Sequence, residues 1–324
     1  MRSLATAAFL CGLFAPAAVH AQHWAKDFGG TGGDRITDVK VGPDGFVYAV
    51  GEFSAVMVVD GITYTSNGGT DVFVVKMDDA GNVVWLVQAG GSAIDRGGKV
   101  AIDDAGHVVV TGQFLGAADL FGSAFTSVAN SIDFFLAQLS TADGSSQWVR
   151  TGGGASFGDL ASGVAIAPNG TVVAAGEFLG TSDFDGTSLT SMLDPLTLLP
   201  SVDVFIAAYS GAGVPLWLKH GQAEFTDRAI DVVADANSNF YVGGQFSDTI
   251  QFDQVYPNAL NNGIFLLKLN AAGTEQWFRR CGGGTLNLLR DMHITAGSEL
   301  LLAGDLQGDM VYMDPVPQLS LIHI

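Results

Sequence analysis

The 324-residue sequence is poor in cysteine, with only Cys11 and Cys281, and Cys11 lies in a leader-like N-terminus. A mature chain with one cysteine forms no intramolecular disulfide, so its stability must come from buried apolar surface. Hydrophobic residues make up 48% of the chain, which is ample material for that core. Basic residues are also scarce, 14 against 33 acidic ones, for a net charge of −19. Such a surface repels nucleic acid and anionic lipid, and it favours solubility and cations. Beyond the first twenty residues no apolar run approaches the length of a membrane-spanning helix. Sustained helical periodicity is missing as well, which leaves strands as the building material.

The two ends stand apart from the rest. MRSLATAAFLCGLFAPAAVHAQ carries Arg2, an apolar run from Leu4, and Val19-His20-Ala21 as a small-residue cleavage site. This order predicts a secretory signal peptide over residues 1–21 with Gln22 as the first mature residue, and hence a secreted, cell-surface or periplasmic protein. Residues 22–314 form the repeat domain. Residues 315–324 end on the apolar run LSLIHI in an unfinished unit, and are expected to be a truncated or foreign tail.

All five tryptophans fall at one recurring place. Trp24, Trp85, Trp148, Trp217 and Trp277 are spaced by 61, 63, 69 and 60 residues. A period of this size signals a repeat architecture. Each Trp is followed by glycines (Gly29-Gly30, Gly90-Gly91, Gly152–Gly154, Gly221, Gly282–Gly284) and then by an acidic-basic pair such as Asp34-Arg35, Asp95-Arg96 or Asp227-Arg228. Asp159-Leu160 and Asn287-Leu288 are the departures. A β-branched run, an Asp/Asn-Gly turn and a second strand ending in Gly51-Glu52-Phe53 or its equivalents follow. A small hairpin, marked by Asp60-Gly61 or Asp185-Gly186, precedes an apolar strand and the next Trp strand.

These features predict an all-β fold, a β-propeller of four-stranded blades about 60 residues long. Four repeats are complete and a fifth begins near Leu286, so the sequence reads as a fragment of a larger ring. The first unit's strands are expected at about 36–41, 46–53, 71–77 and 82–88, with a hairpin at 57–66. Residues 24–28 would be an orphan outer strand that closes the last blade. A β-solenoid or an open stack of sheets fits the unit length less well. The glycine loop FGGTGGDR, Phe28 to Arg35, could in isolation be a phosphate cradle. It recurs in every unit between two strands and never before a helix, so it reads as a connection between blades.

WAKDFGGTGGDRITDVKVGPDGFVYAVGEF together with TDVFVVKMDDAGNVVW resembles the secreted bacterial β-propeller (SBBP) repeat family across residues 24–306. The resemblance implies an extracellular propeller and no defined reaction.

Candidate chemistry follows from the repeat. Asp34, Asp95, Asp159 and Asp227 open the inner strands and would ring one rim of the propeller as a binding site. An equivalent Asp in nearly every repeat is equally explained if each carboxylate accepts N–H bonds in its own turn, and that explanation is preferred. Glu52, Gln113, Glu177 and Gln245, at the ends of the second strands, would line the channel or bond to a neighbouring blade. Trp24, Trp85, Trp148, Trp217 and Trp277 are read as structural anchors. Asp pairs such as Asp78-Asp79, Asp103-Asp104 and Asp183/Asp185 raise calcium as a weak option, but turn chemistry explains them as well. His23, His107, His220, His293 and His323 are scattered, and no metal is expected. Cys281, beside Arg279 and Arg280, could have a lowered pKa, though no histidine partner is evident.

Two functions from different classes remain. One is a non-catalytic binding or display scaffold for an extracellular glycan or protein. The other is a polysaccharide-active hydrolase or lyase that uses two channel carboxylates. An enzyme needs residues that differ between blades, and the residues above are shared, so the scaffold leads and no catalytic residue is assigned.

Overall fold

The computed structural model describes residues 24–156, 158–257, 263–282, 287–295, 298–306, 311–312 and 319–323. The expected leader, residues 1–21, lies outside them. Among the described residues all regular structure is strand, apart from the single 3-10 turn Val128–Asn130. No helix there is long and apolar enough to cross a membrane.

Five sheets follow one another along the chain. Their inner strands are Asp34–Val41, Arg96–Ile102, Leu160–Ile166, Arg228–Ala234 and Asn287–Ile294. Second strands are Val47–Val59, His107–Leu115, Val172–Leu179, Phe240–Phe246 and Leu300–Leu306. Third strands are Ile62–Met77, Ile132–Ser140, Val202–Tyr209 and Gly263–Leu269, and outer strands are Val83–Gly91, Ser146–Gly154, Pro215–Ala223 and Glu275–Gly282. Each of these four sheets is an antiparallel meander, the product of tight turns that join consecutive strands. In the fifth, Leu319–His323 runs parallel to Leu300–Leu306, the one parallel ladder among the named strands.

The third strands explain the continuous apolar runs of the sequence. Asp71–Met77, Asp133–Leu139 and Asp203–Tyr209 are buried throughout, because sheets pack on both of their faces. Separate apolar clusters fill the spaces between the first and second, second and third, third and fourth, and fourth and fifth sheets. A further cluster, Ala49, Phe53, Met57, Phe73 and Val75, lies on the remaining face of the first sheet with Phe28 against it. None of these clusters joins the fifth sheet to the first. The five inner strands nevertheless line one cavity, from Asp38 and Lys99 round to Val164, Asp231 and Met292. Sheets stacked face to face around a common lumen make a β-propeller.

Tryptophan joins the first four sheets in succession, and Trp24 docks the chain's start on the first. The indole Nε1–H of Trp24, Trp85, Trp148 and Trp217 donates to the carbonyl of Asp79, Thr141, Gly211 and Ala271 at 2.9–3.1 Å. Each acceptor sits in the turn between the third and outer strands of the following sheet. The ring lies on that turn's glycine: Gly81, Gly144, Gly213 and Gly273 have φ of +74 to +83°, and a Cβ there would come within 2.6–2.9 Å of the Trp ring or a neighbouring side chain. Positive φ and close approach both demand glycine. Trp277 instead packs edge-on against Tyr241, with the Arg279 guanidinium over its ring.

Two expectations need correction. The hairpins do not ornament their own sheets: in later units they cross to the outer strand of the preceding one, pairing Gly90-Gly91 with Asp119-Ala118 and Gly152–Gly154 with Phe184–Ser182. In the first unit the hairpin is continuous with strands Val47–Val59 and Ile62–Met77. Residues 24–28 carry no strand pairing; Gly29 and Gly30 pair with Val58 and Met57 of that hairpin, as the outer-strand glycines do elsewhere.

Candidate functional site

Asp95, Asp159 and Asp227 do not form a rim open to solvent; each is fully buried. Asp95 accepts the N–H of Gly91 (2.6 Å) and of Leu115 (3.1 Å), tying an outer strand to the next sheet's second strand. Asp159 does the same through Gly154 (2.8 Å) and Leu179 (3.3 Å), with Ser182 Oγ donating as well. Asp227 accepts from Ser247 N at 2.9 Å. Burial raises all three carboxyls, Asp159 to about 6 and Asp227 to about 8. Asp34 is only half-buried, and one of its oxygens has no hydrogen-bond partner among the described residues.

The second-strand residues bond across sheets. Glu52 pairs with Arg35 (3.1 Å) and with Arg96 of the second sheet (3.4 Å), and Glu177 pairs with Arg228 of the fourth (2.8 Å). Burial lifts Glu177 to about 7 despite Arg228. Gln245 Nε2 reaches the Leu289 carbonyl at 3.5 Å, and Gln113 lines a small cleft with Arg35 and Arg96. These groups lie where the inner strands begin. The central cavity lies where they end.

That cavity, about 220 Å³, is built by one repeated irregularity. Every inner strand carries a bulge against its second strand, at 36/38, 97/100, 161/163, 229/231 and 289/291. A bulge re-aims the extra side chain. The equivalent position at the C-terminal side of each bulge holds Asp38, Lys99, Gly163, Asp231 and Asp291, a belt in which the repeat chemistry is not conserved from sheet to sheet. Asp38 accepts Val100 N (3.0 Å), and Asp231 accepts Val232 N and Met292 N (both 2.9 Å), so both brace neighbouring strands. Lys99 reaches across the lumen to Asp291 at 3.0 Å. Gly163 has no side chain because the backbone of Asp231-Val232 comes within 2.7–2.9 Å of its Cβ position.

The belt's charges are interlocked. Burial pulls the Lys99 ammonium down, but Asp231, Asp291 and Asp38 together hold it above its ordinary value. Burial raises Asp231 in spite of Lys99, whereas Asp291 is held low because Lys99 and Lys40 more than offset its burial. Val41, Ile102, Ile166, Ala234 and Ile294 form an apolar collar above this floor, with Lys40 and His293 at the opening. Such a pocket can hold a small group with a polar tip and an apolar shoulder.

Sequence reasoning missed this belt. Its signal was the variable residue four places after the shared Asp (Asn287 in the fifth unit), which gains meaning only when the bulge is known. Also missed was Gly154-Ala155-Ser156-Phe157-Gly158, which has the spacing of a nucleophile elbow. The elements on either side of it are the strands Ser146–Gly154 and Leu160–Ile166, where the elbow requires a helix to follow.

Reactive groups elsewhere are engaged. His220 Nε2 lies 2.6 Å from buried Asp203, whose other oxygen accepts from Ser201 Oγ; the hydroxyl contacts the carboxylate, not the imidazole. The first sheet has Gln88 donating to Asp71 at the same register, so the His–Asp contact belongs to the repeat. His107 pairs with Asp103 inside a turn. Cys281 is buried, and burial pushes its thiol up to about 12, the reverse of the lowering expected from its arginine neighbours. Among the described residues no group of three or more His, Cys, Asp or Glu side chains is arranged to hold a metal ion.

No family model matches the sequence. An uncharacterized WD repeat-containing protein of Acanthamoeba polyphaga mimivirus is 28% identical over 177 residues, 48% of this chain. The chain spans only 12% of that protein's length. Among solved structures, the quinohemoprotein alcohol dehydrogenase from Comamonas testosteroni overlaps 77% of this chain and 38% of its own, with 16% identity and a TM-score of 0.36. A protein of unknown function from Bacteroides caccae overlaps 70% and 77%, with 10% identity and a TM-score of 0.34. At such TM-scores the overlap carries no argument, and the propeller rests on the strand pairing and lumen described above.

Proposed function

We propose that this protein is a non-catalytic, exported β-propeller that acts as a binding or display scaffold for an extracellular protein or glycan. The repeat is read as SBBP-type, with four complete units and a partial fifth in the given sequence, and the mouth at the ends of the inner strands takes a protruding group of the partner. The observation that carries the reading is the belt of Asp38, Lys99, Asp231 and Asp291 beneath an apolar collar. It breaks the repeat symmetry, as recognition of one ligand requires. Its members are spent on backbone N–H groups and on each other. A glycosidase needs one carboxyl to protonate the leaving group and a second to attack or activate water. In the belt Asp38 and Asp231 are committed as braces, which leaves Asp291 alone among its carboxyls.

The test is an array of extracellular polysaccharides and secreted proteins, read for saturable binding and for product release. Binding without product, weakened by replacing Lys99 and Asp291 together, is the expected result. Sustained product release that disappears with Asp231→Asn would establish the enzyme instead.

A further inference from the structure

A second departure from the repeat lies on the outside of the propeller. Two residues beyond each tryptophan stands Lys26, Val87, Arg150 or Lys219. At the tip of the hairpin that crosses onto that outer strand stands Asp60, Phe121, Asp185 or Asp253. Lys26 pairs with Asp60, Arg150 with Asp185 at 3.7 Å, and Lys219 with Asp253 at 2.5 Å. The Arg150 guanidinium also donates to the Gly213 carbonyl at 2.7 Å. Only between the first and second sheets, among these four, are both charges gone.

In place of the ion pair a cleft of about 470 Å³ opens, with Val87, Gln88, Asp119, Phe121, Gly144 and Ser145 in its walls. Phe121 is a costly residue for this turn. It has φ of +55°, where Asp60 and Asp185 have +49° and +52° in the equivalent Asx-Gly hairpin turns. Aspartate tolerates that left-handed conformation and a bulky aromatic does not, so the replacement runs against local backbone preference. Backbone strain of this kind clusters at functional sites. The ring is half-buried and edge-on to Phe135, which fixes its position at the cleft. Asp119, one of whose oxygens accepts the Gly122 N–H at 2.6 Å, supplies the other oxygen, and Gly144 stands where Gly213 offers its carbonyl to Arg150. Gln88 Nε2 is already committed to Thr65 O and Asp71, so its Oε1 remains as a third.

We propose that this cleft binds a lysine or arginine side chain of a partner polypeptide, which occupies the place that a cation from the chain itself fills in the neighbouring repeats. The aliphatic stem lies along Val87. The charged head meets the face of Phe121 and the acceptors of Asp119 and Gly144. The chain's net charge of −19 raises the local concentration of such cations. This inference is independent of the central channel, and loss of either site leaves the other intact.

The test titrates the full chain with N-acetyl-lysine methylamide and N-acetyl-arginine methylamide, followed by NMR shifts of Phe121 and the Gln88 side-chain amide. N-acetyl-norleucine methylamide serves as the neutral control. The cationic probes are expected to bind at least about tenfold more tightly than the neutral one, the scale of one desolvated cation–aromatic contact. Val87→Arg combined with Phe121→Asp installs the ion pair of the other repeats; it should abolish binding while the melting temperature stays level or rises. Phe121→Leu, which keeps an apolar tip without a ring, should weaken the cations and leave norleucine unchanged. Equal binding of the neutral probe, or undiminished binding by the ion-pair variant, would overturn the proposal.

Discussion

The junction between the first and second sheets and the junction between the second and third are built alike and finished differently. In both, an outer-strand tryptophan donates to a turn carbonyl of the next sheet, Trp85 to Thr141 and Trp148 to Gly211. In both, a buried aspartate ties the outer-strand glycine to the next second strand, Asp95 through Gly91 and Asp159 through Gly154. The difference lies at the surface, where Arg150 and Asp185 close one junction, and Val87 and Phe121 leave the other open. Residues that recur are spent on holding sheets together. Residues that break the pattern, here and in the channel belt, are the ones proposed above to meet another molecule.

The largest expected effect comes from removing the shared anchor. Trp85→Ala and Trp148→Ala should each cost about 3–5 kcal/mol, because each empties a space between sheets and strands a turn carbonyl. Similar losses at the two junctions, measured by chemical denaturation, would sustain the comparison. Trp277→Ala should cost less, since no following turn receives its indole among the described residues. A loss at Trp277 as large as at Trp85 would break it.

The buried carboxyls set the pH dependence. Asp159, Glu177 and Asp227 have ordinary values of 3.8, 4.5 and 3.8 and folded values of about 6, 7 and 8. The folded protein therefore holds more protons than the unfolded chain between about pH 4 and pH 8, and stability falls as pH rises through that window. Asp227→Asn should flatten the part between pH 6 and 8, read as melting temperature against pH. Asp159→Asn should instead cost about 1–3 kcal/mol near neutrality, since an amide replaces an oxygen that accepts a buried N–H.

Smaller effects test the turns and the tips. Gly213→Ala places a methyl 2.7 Å from the Trp148 ring at φ of +74°, and should destabilise by about 1–2 kcal/mol. The Lys26–Asp60 pair should contribute little, because solvent screens the carboxylate. Lys26→Met would reveal that with a melting shift of a degree or two.

The sequence makes the strands, turns and period legible because each is local: a Trp, a glycine run, an Asp-Gly tip. The tight turns fix the order of strands within a sheet. What escapes is what depends on contacts between units. That a hairpin tip crosses to the preceding sheet is set by the pairing of Gly152 with Phe184, thirty-odd residues apart, and no local pattern announces it. The carboxylates of Asp95 and Asp227 admit two readings in the sequence, a rim or a brace for N–H groups of their own turns; the reach to the next sheet's second strand, Leu115 and Ser247, is what no local pattern announces. The belt of Asp38, Lys99, Asp231 and Asp291 was legible only as irregular residues in a β-branched run, since the bulge that aims them is a property of pairing.

The central claim, that shared residues hold the propeller and pattern-breaking residues recognise, is tested most directly by one crossed measurement. Asp159→Asn and the double change Lys99→Met with Asp291→Asn are compared in melting temperature and in affinity for whichever extracellular polysaccharide or protein the array identifies. The double change also takes away the cation that offsets the burial of Asp231, which is then held in its neutral form, so melting measured at mildly acidic pH should shift little. The account predicts that Asp159→Asn lowers the melting temperature and leaves affinity unchanged, while the channel variant weakens binding at nearly unchanged stability. Wild-type affinity in the channel variant, or lost binding in a folded Asp159→Asn protein, would contradict it.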